Sequence, residues 1–188
     1  MAFLKRRWLS VLVGPLTAVL CAPAASAQAV ASENDIKAAF LYNFARYVVW
    51  PETAFADGDF RLCVAADRQF IASLDAIIAG ESIEGRPVVR HTPATPEAAQ
   101  SCHILFVGRG EPLAYRLFSS LEGKPVLLVG DAPDFLDQGG MVTFVREADR
   151  VRFDVDVTVA GQAGLTISSR LLRVARRVIS PQPGTGVQ

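Results

Sequence analysis

The 188-residue chain is poor in the side chains that most enzymes rely on. It has two histidines, His91 and His103, with three cysteines and two methionines. It has no G-x-S-x-G elbow and no H-E-x-x-H pair. Neither histidine belongs to a Ser/His/Asp or Cys/His arrangement, so no catalytic residue is assigned and an enzyme is not expected. Net charge is missing too, because 19 basic and 19 acidic residues cancel. That balance gives no electrostatic reason to expect nucleic acid as a partner. No apolar run reaches the ~20 residues that a membrane-spanning helix needs. Gly108-Arg109-Gly110 resembles the start of a dinucleotide fingerprint, but its third glycine position falls on Leu113. A plain strand-to-helix turn is the better reading, and no cofactor is expected.

At the N-terminus Lys5, Arg6 and Arg7 precede an uncharged run from Trp8 to Leu20, then Pro23 and the small triplet Ala25-Ser26-Ala27. Basic, apolar and small residues in that order form a secretory signal over 1–27, with cleavage after Ala27. Acylation at Cys21 is the alternative, but Leu20 is too large for the residue before a lipid-bearing cysteine. Cleavage removes three basic residues and no acidic ones, leaving a mildly acidic mature chain. Residues 28–180 then form one domain, and 181–188 a disordered tail.

Cys63 and Cys102 remain after cleavage. In an oxidising compartment an even pair is read first as a disulfide, and closing that loop is worth about 4 kcal/mol. Half of a metal site, with His91 and His103, is the alternative. It is disfavoured because structural zinc ligands come in tight pairs, and no metal is expected.

Ser32 and Asp35 have capping-box spacing and open a predicted helix from Asn34 to Val49, ended by Pro51. Strands are predicted at Phe60–Ala65, Arg86–His91, Ile104–Val107 and Val126–Val129. Helices are predicted at Asp67–Ala79, Thr95–Gln100 and from Pro112 to Leu121. Three of the strand runs do not alternate, as expected for strands buried on both faces. Met141–Val145 and Val151–Val155 flank a turn at Glu147–Arg150 and read as an antiparallel hairpin. Asp131 follows the fourth strand, either capping a helix near Pro133 or serving a site at the strand ends. Gly139-Gly140 permit positive φ at a strand entry. A final helix is predicted from Ser168 to Ile179, with Arg170, Arg173, Arg176 and Arg177 on one face at about 100° per residue. The fold class is α/β: a three-layer sandwich with a mixed, mostly parallel sheet of about six strands, an antiparallel hairpin edge and helices on both faces.

Four segments decide what the chain resembles. They are Ile36-Lys37-Ala38-Ala39-Phe40-Leu41-Tyr42-Asn43-Phe44-Ala45-Arg46-Tyr47-Val48-Val49-Trp50-Pro51, Gly139–Val145, Val151–Val155 and Ala163-Gly164-Leu165-Thr166-Ile167-Ser168-Ser169-Arg170-Leu171-Leu172. In this order they resemble the YfiR-like family of periplasmic proteins over roughly residues 35–178. The resemblance implies a periplasmic repressor. Such a protein binds the periplasmic domain of a membrane-bound diguanylate cyclase and lowers cyclic di-GMP signalling and biofilm formation. A periplasmic small-ligand sensor without a cyclase partner is the alternative. Cys63 and Cys102 match the family's common cysteine pair. A second pair found in some members has no counterpart in this hairpin, so redox control through it is not expected. Partner-binding residues are expected at Tyr47, Trp50, Arg170, Arg173, Arg176 and Arg177. The arginines would face an acidic partner surface or, at most peripherally, anionic headgroups. A homodimer is left open.

Overall fold

A computed structural model describes residues 31–55, 58–111 and 114–181. The signal expected over 1–27 and the tail expected beyond Pro181 lie outside the described residues. In chain order the first elements are α1 (Glu33–Tyr47), β1 (Val48–Val49), β2 (Phe60–Ala65), α2 (Arg68–Ile78), β3 (Ser82–Ile83), β4 (Arg86–His91) and β5 (Ile104–Val107). They are followed by α3 (Ala114–Leu121), β6 (Leu127–Gly130), β7 (Val142–Glu147), β8 (Arg150–Asp156), α4 (Val157–Gln162), β9 (Thr166–Ile167), α5 (Ser169–Leu172) and β10 (Arg177–Ile179).

Strands β4, β2, β5, β6 and β7 are parallel neighbours in that order. The chain winds one way from β2 to β4 and the other way from β5 to β7. Right-handed crossovers in opposite directions put their helices on opposite faces, which makes three layers. On one face Phe40 and Phe44 of α1 meet Phe144 and Phe153, and Phe70 of α2 stacks on Phe106 at 4.3 Å. On the other, Phe118 of α3 meets Phe135 edge-on at 5.2 Å. Every residue of β5 and β6 is buried, which accounts for their unbroken apolar runs. The Phe135 ring lies so close to Gly130 and Gly140 that a Cβ at either would fall 2.3 or 2.2 Å from it. Gly139 supplies the positive φ, +99°, at the entry to β7.

The reciprocal cap of α1 is formed: the Ser32 hydroxyl accepts the Asp35 N–H at 3.1 Å and the Asp35 carboxylate accepts the Ser32 N–H at 2.9 Å. Cys63 of β2 and Cys102, just before β5, are joined with their Cα atoms 5.8 Å apart. Each sulfur therefore bonds the other, which closes the alternative of a shared metal site.

Several expectations are corrected. Among the described residues the main sheet has eight strands, because β3 and β10 join the six expected. Helix α1 stops at Tyr47, since Val48–Val49 pair antiparallel with β9 in a separate two-stranded sheet. Only a 3-10 turn, Ala98–Ser101, stands near the short helix expected at Thr95–Gln100. No helix starts near Pro133, where the chain makes consecutive turns. The largest change is C-terminal. The helix expected over Ser168–Ile179 is a single helical turn, α5, followed by a turn and then β10, which lies parallel to β8. Helix propensity is a weak prior, and here pairing with β8 overrides it.

Candidate partner-binding surface

Two of the segments that carry the family resemblance lie far apart in sequence and are brought together by β1 and β9. Val48 pairs with Ile167 and Val49 with Thr166. Alternation sends the first pair inward and the second to solvent, leaving Val49 62% exposed. The Ser168 N–H then donates to the Tyr47 carbonyl at 2.9 Å. The Ser168 hydroxyl accepts the Leu171 N–H at 3.4 Å and starts α5. Leu171 is buried by that turn, while Arg170 and Arg173 stand exposed. Val174, which follows, is 56% exposed.

The residues expected to meet a partner are thus dispersed. Tyr47 is half-buried. Trp50 is a core residue: its indole Nε1–H donates to the His103 carbonyl at 3.1 Å and its ring meets Phe60 edge-on at 5.2 Å. Expected to meet a partner, it is instead held inside by the hydrogen bond and the ring contact. Arg176 and Arg177 do not share a helical face with Arg170 and Arg173. Arg176 forks onto Asp154, with Nε to Oδ1 at 2.7 Å and Nη2 to Oδ2 at 2.5 Å. Arg177 adds Nη2 to Oδ2 at 3.0 Å.

Asp154 is fully buried. Burial by itself would push its carboxyl up. The Arg176 guanidinium, bonded to it, and the charge of Arg177 more than offset that, and the group sits below the ordinary carboxylate value. The cluster pins β10 to β8. A buried carboxylate held by two guanidiniums is costly to break, because loss of either side leaves a desolvated charge.

A second charged cluster lies at the carboxyl ends of the parallel strands. Lys37 of α1 is buried and bonds Asp131 Oδ2 and Glu33 Oε1, each at 2.8 Å. Burial would lower the Lys37 pKa, but the two carboxylates outweigh it and hold the ammonium charged. Arg109 donates from Nη2 to the Asp131 carbonyl at 3.0 Å. Asp131 therefore ties α1 to the end of β6 and does not cap a helix. Gly108 is a packing glycine, since a Cβ there would stand 3.1 Å from that of Ala66.

His103 is structural. Its Nδ1 accepts the Arg61 N–H at 2.9 Å and its Nε2 meets the Ala54 carbonyl at 3.0 Å. Only a neutral ring protonated at Nε2 satisfies both. Burial, the largest influence, lowers its pKa in the same direction. His91 is exposed at the end of β4. Among the described residues no group of three or more His, Cys, Asp or Glu is placed to hold a metal ion. An open cleft of about 860 Å³ is lined by Phe118, Leu121, Leu128, Met141, Val159 and Ala163.

A family model described as YfiR/HmsC-like matches residues 34–176. The chain belongs to the YfiR/HmsC-like family. That family comprises periplasmic regulators associated with diguanylate cyclase systems, regulatory rather than catalytic proteins. The disulfide fits a periplasmic protein. No helix among the described residues is long and apolar enough to cross a membrane. No curated protein matches the chain. Among solved structures, a conserved domain protein from Vibrio cholerae O1 biovar El Tor is similar with a TM-score of 0.52 at 12% identity, over 78% of this chain and 60% of that one. The ABC domain in complex with L-Trp from Streptococcus pneumoniae is similar with a TM-score of 0.43 at 15% identity, over 64% and 55%. The chain thus spans 60% of the length of the Vibrio protein, and that likeness concerns the fold alone.

Within this YfiR/HmsC-like domain, the sequence left three determinants of this region unmarked: the buried Asp154 and the exposed Val49 and Val174. Asp154 alternates with Val151, Phe153 and Val155, a spacing that by itself suits a strand with one face in water, yet the structure buries it. The one available signal was Arg176-Arg177, adjacent cations in a stretch with no acid of its own, which called for a carboxylate elsewhere in the fold.

Proposed function

We propose that this chain represses a membrane-bound diguanylate cyclase by binding the cyclase's periplasmic domain, which lowers cyclic di-GMP and biofilm formation. The observation that carries this reading is the union of two family segments in the β1–β9 pair, which leaves Val49, Arg170, Arg173 and Val174 open to solvent. Exposed apolar residues beside arginines suit recognition of a protein surface, and the arginines favour an acidic one. Repression follows if the cyclase's periplasmic domain signals across the membrane only when free. Export by the signal expected over 1–27 would bring the chain to the compartment where that domain lies.

The test is a strain in which the chain is deleted and then restored. Deletion should raise cyclic di-GMP and restoration should lower it, with the purified mature chain binding the cyclase's periplasmic domain. An exported, folded chain that neither binds nor changes cyclic di-GMP would refute the proposal.

A second reading, a small-ligand sensor, draws on the cleft between α3 and α4, whose size falls in the range of ligand pockets. Native mass spectrometry of protein taken from the periplasm checks it. A bound small molecule lost on Met141→Trp would support this reading.

A further inference from the structure

The two edges of the main sheet are finished differently. At one edge β3 pairs Ser82 with Pro87 and Ile83 with Arg86. That edge strand is only two residues long, with Ser82 exposed and Ile83 buried. Those features blunt an edge against further pairing. At the other edge lies β10, and among the described residues nothing pairs with its outer side. Of the three large exposed hydrophobic residues among the described residues, Val49, Val174 and Val178, two lie on or just before this strand.

The ladder fixes which backbone groups are free. The Asp156 N–H donates to the Met141 carbonyl at 2.8 Å, so Asp156 and Asp154 turn their backbone groups toward β7. Phe153 and Val155 therefore turn theirs toward β10, where the Phe153 carbonyl takes the Arg176 N–H at 2.8 Å. In the register Arg177 to Asp154 and Val178 to Val155, Arg177 and Ile179 bond β8. The N–H and C=O of Val178 point away from the sheet.

Charge selects what can lie against this edge. No acidic residue follows Asp156 in the sequence, whereas Arg170, Arg173, Arg176 and Arg177 do. Asp154 engages the last two, and Arg170 and Arg173 remain exposed. A second copy of β10 laid against the first would bring two arginine-rich C-terminal segments together with no acidic residue after Asp156 to meet them, which disfavours pairing. A strand bearing carboxylates would be drawn in instead.

We propose that the outer edge of β10 accepts an extended strand from the partner protein, one that alternates acidic with apolar side chains. The docked strand bonds the Val178 N–H and C=O, rests apolar side chains on Val174 and Val178, and sets its carboxylates against Arg173 and Arg170. This is β-strand addition, in which the main chain supplies affinity and the side chains supply specificity. It deepens the partner-binding reading above by naming the kind of segment bound.

The experiment uses the full mature chain and two synthetic peptides. One alternates glutamate with valine and threonine, and the other carries lysine in place of glutamate. The acidic peptide should bind at least about tenfold more tightly, with a difference that shrinks as salt rises. Its binding should slow hydrogen exchange at the Val178 amide. Val178→Pro removes only the outward N–H and should lower affinity at least about tenfold, while Val178→Thr should bind nearly as the parent does. Arg173→Glu, on an exposed turn, should invert the preference between the peptides and serves as a second variant if Val178→Pro loosens the strand. Equal binding of the two peptides, unchanged exchange at Val178, or a concentration-dependent dimer that protects Val178 would each overturn the proposal, the last by assigning the edge to a second copy. No cyclase enters the assay, so this inference and the cyclic di-GMP reading fail separately.

Discussion

Strands β5 and β10 belong to one sheet but are held by different forces. In β5 every residue is buried, with β2 on one side and β6 on the other. Its stability comes from apolar area removed from water, about 1.5–3 kcal/mol for each large side chain, and the Cys63–Cys102 bond staples the β2–β5 pair. Strand β10 has one neighbour, and Arg177 and Val178 within it are exposed. What secures it is Asp154, a buried carboxylate under two guanidiniums. Burial holds the centre whatever the pH or salt, whereas an ion cluster at an edge responds to both. A strand that must stay available to a partner is better held the second way.

The comparison can be broken first at the centre. Replacing Cys63 and Cys102 together with serine should cost about 4 kcal/mol by the loss of loop-closure entropy, read from denaturant midpoints. The variant that retains its fold should still bind the partner, since neither sulfur lies on the exposed surface. A fall in binding with intact folding would place the bridge in the recognition site.

Asp154→Asn attacks the edge. It leaves two arginines without their carboxylate and should cost roughly 3 kcal/mol. Hydrogen exchange should quicken at the β10 amides while β5 stays protected. The pH dependence has a definite sign. The folded carboxyl lies below its ordinary value of 3.8, so the cluster's contribution is fully present above that pH. It is lost as pH falls through the lower folded value. The parent should lose β10 protection in that acid range, and Asp154→Asn should show no such step.

A smaller effect separates core from surface at Trp50. Trp50→Phe keeps an aromatic ring against Phe60 but removes the hydrogen bond to the His103 carbonyl, at a cost of about 1–2 kcal/mol in thermal or denaturant unfolding. Partner affinity should not change. The smallest stability effect belongs to Arg170→Glu with Arg173→Glu, within about 0.5 kcal/mol of the parent, because both side chains stand in solvent. Affinity for the cyclase's periplasmic domain should fall, and by less at high salt. Equal affinity at both salts would leave these arginines as solvated charges.

Much of the centre was legible in the sequence. Unbroken apolar runs such as Ile104–Val107 mark strands covered on both faces, and the Ser32–Asp35 spacing marks a helix start, because both signals arise from neighbours in the chain. The partner surface was legible only in part. Arg170 and Arg173 are exposed as expected, but Trp50 is inside. Its partners, the His103 carbonyl just before β5 and Phe60 at the start of β2, lie in segments whose nearness no local pattern reveals. The segment from Ser168 to Ile179 misleads for a related reason. Its spacing suits an amphipathic helix, and within one turn, Ser169–Leu172, a helix does form.

By itself the sequence determined the two cysteines available for a bond, the parallel βα core and the family segments. These depend on residue type and short spacing. Tertiary structure alone decided that Val48–Val49 should pair with Thr166–Ile167, that Arg176 and Arg177 should close over Asp154, and that Val178 should stand at an open edge. Each of these joins residues that no local period connects. A hydrogen-bond ladder or a desolvated charge pair between distant segments can outweigh the few tenths of a kcal/mol per residue by which local propensity prefers a helix.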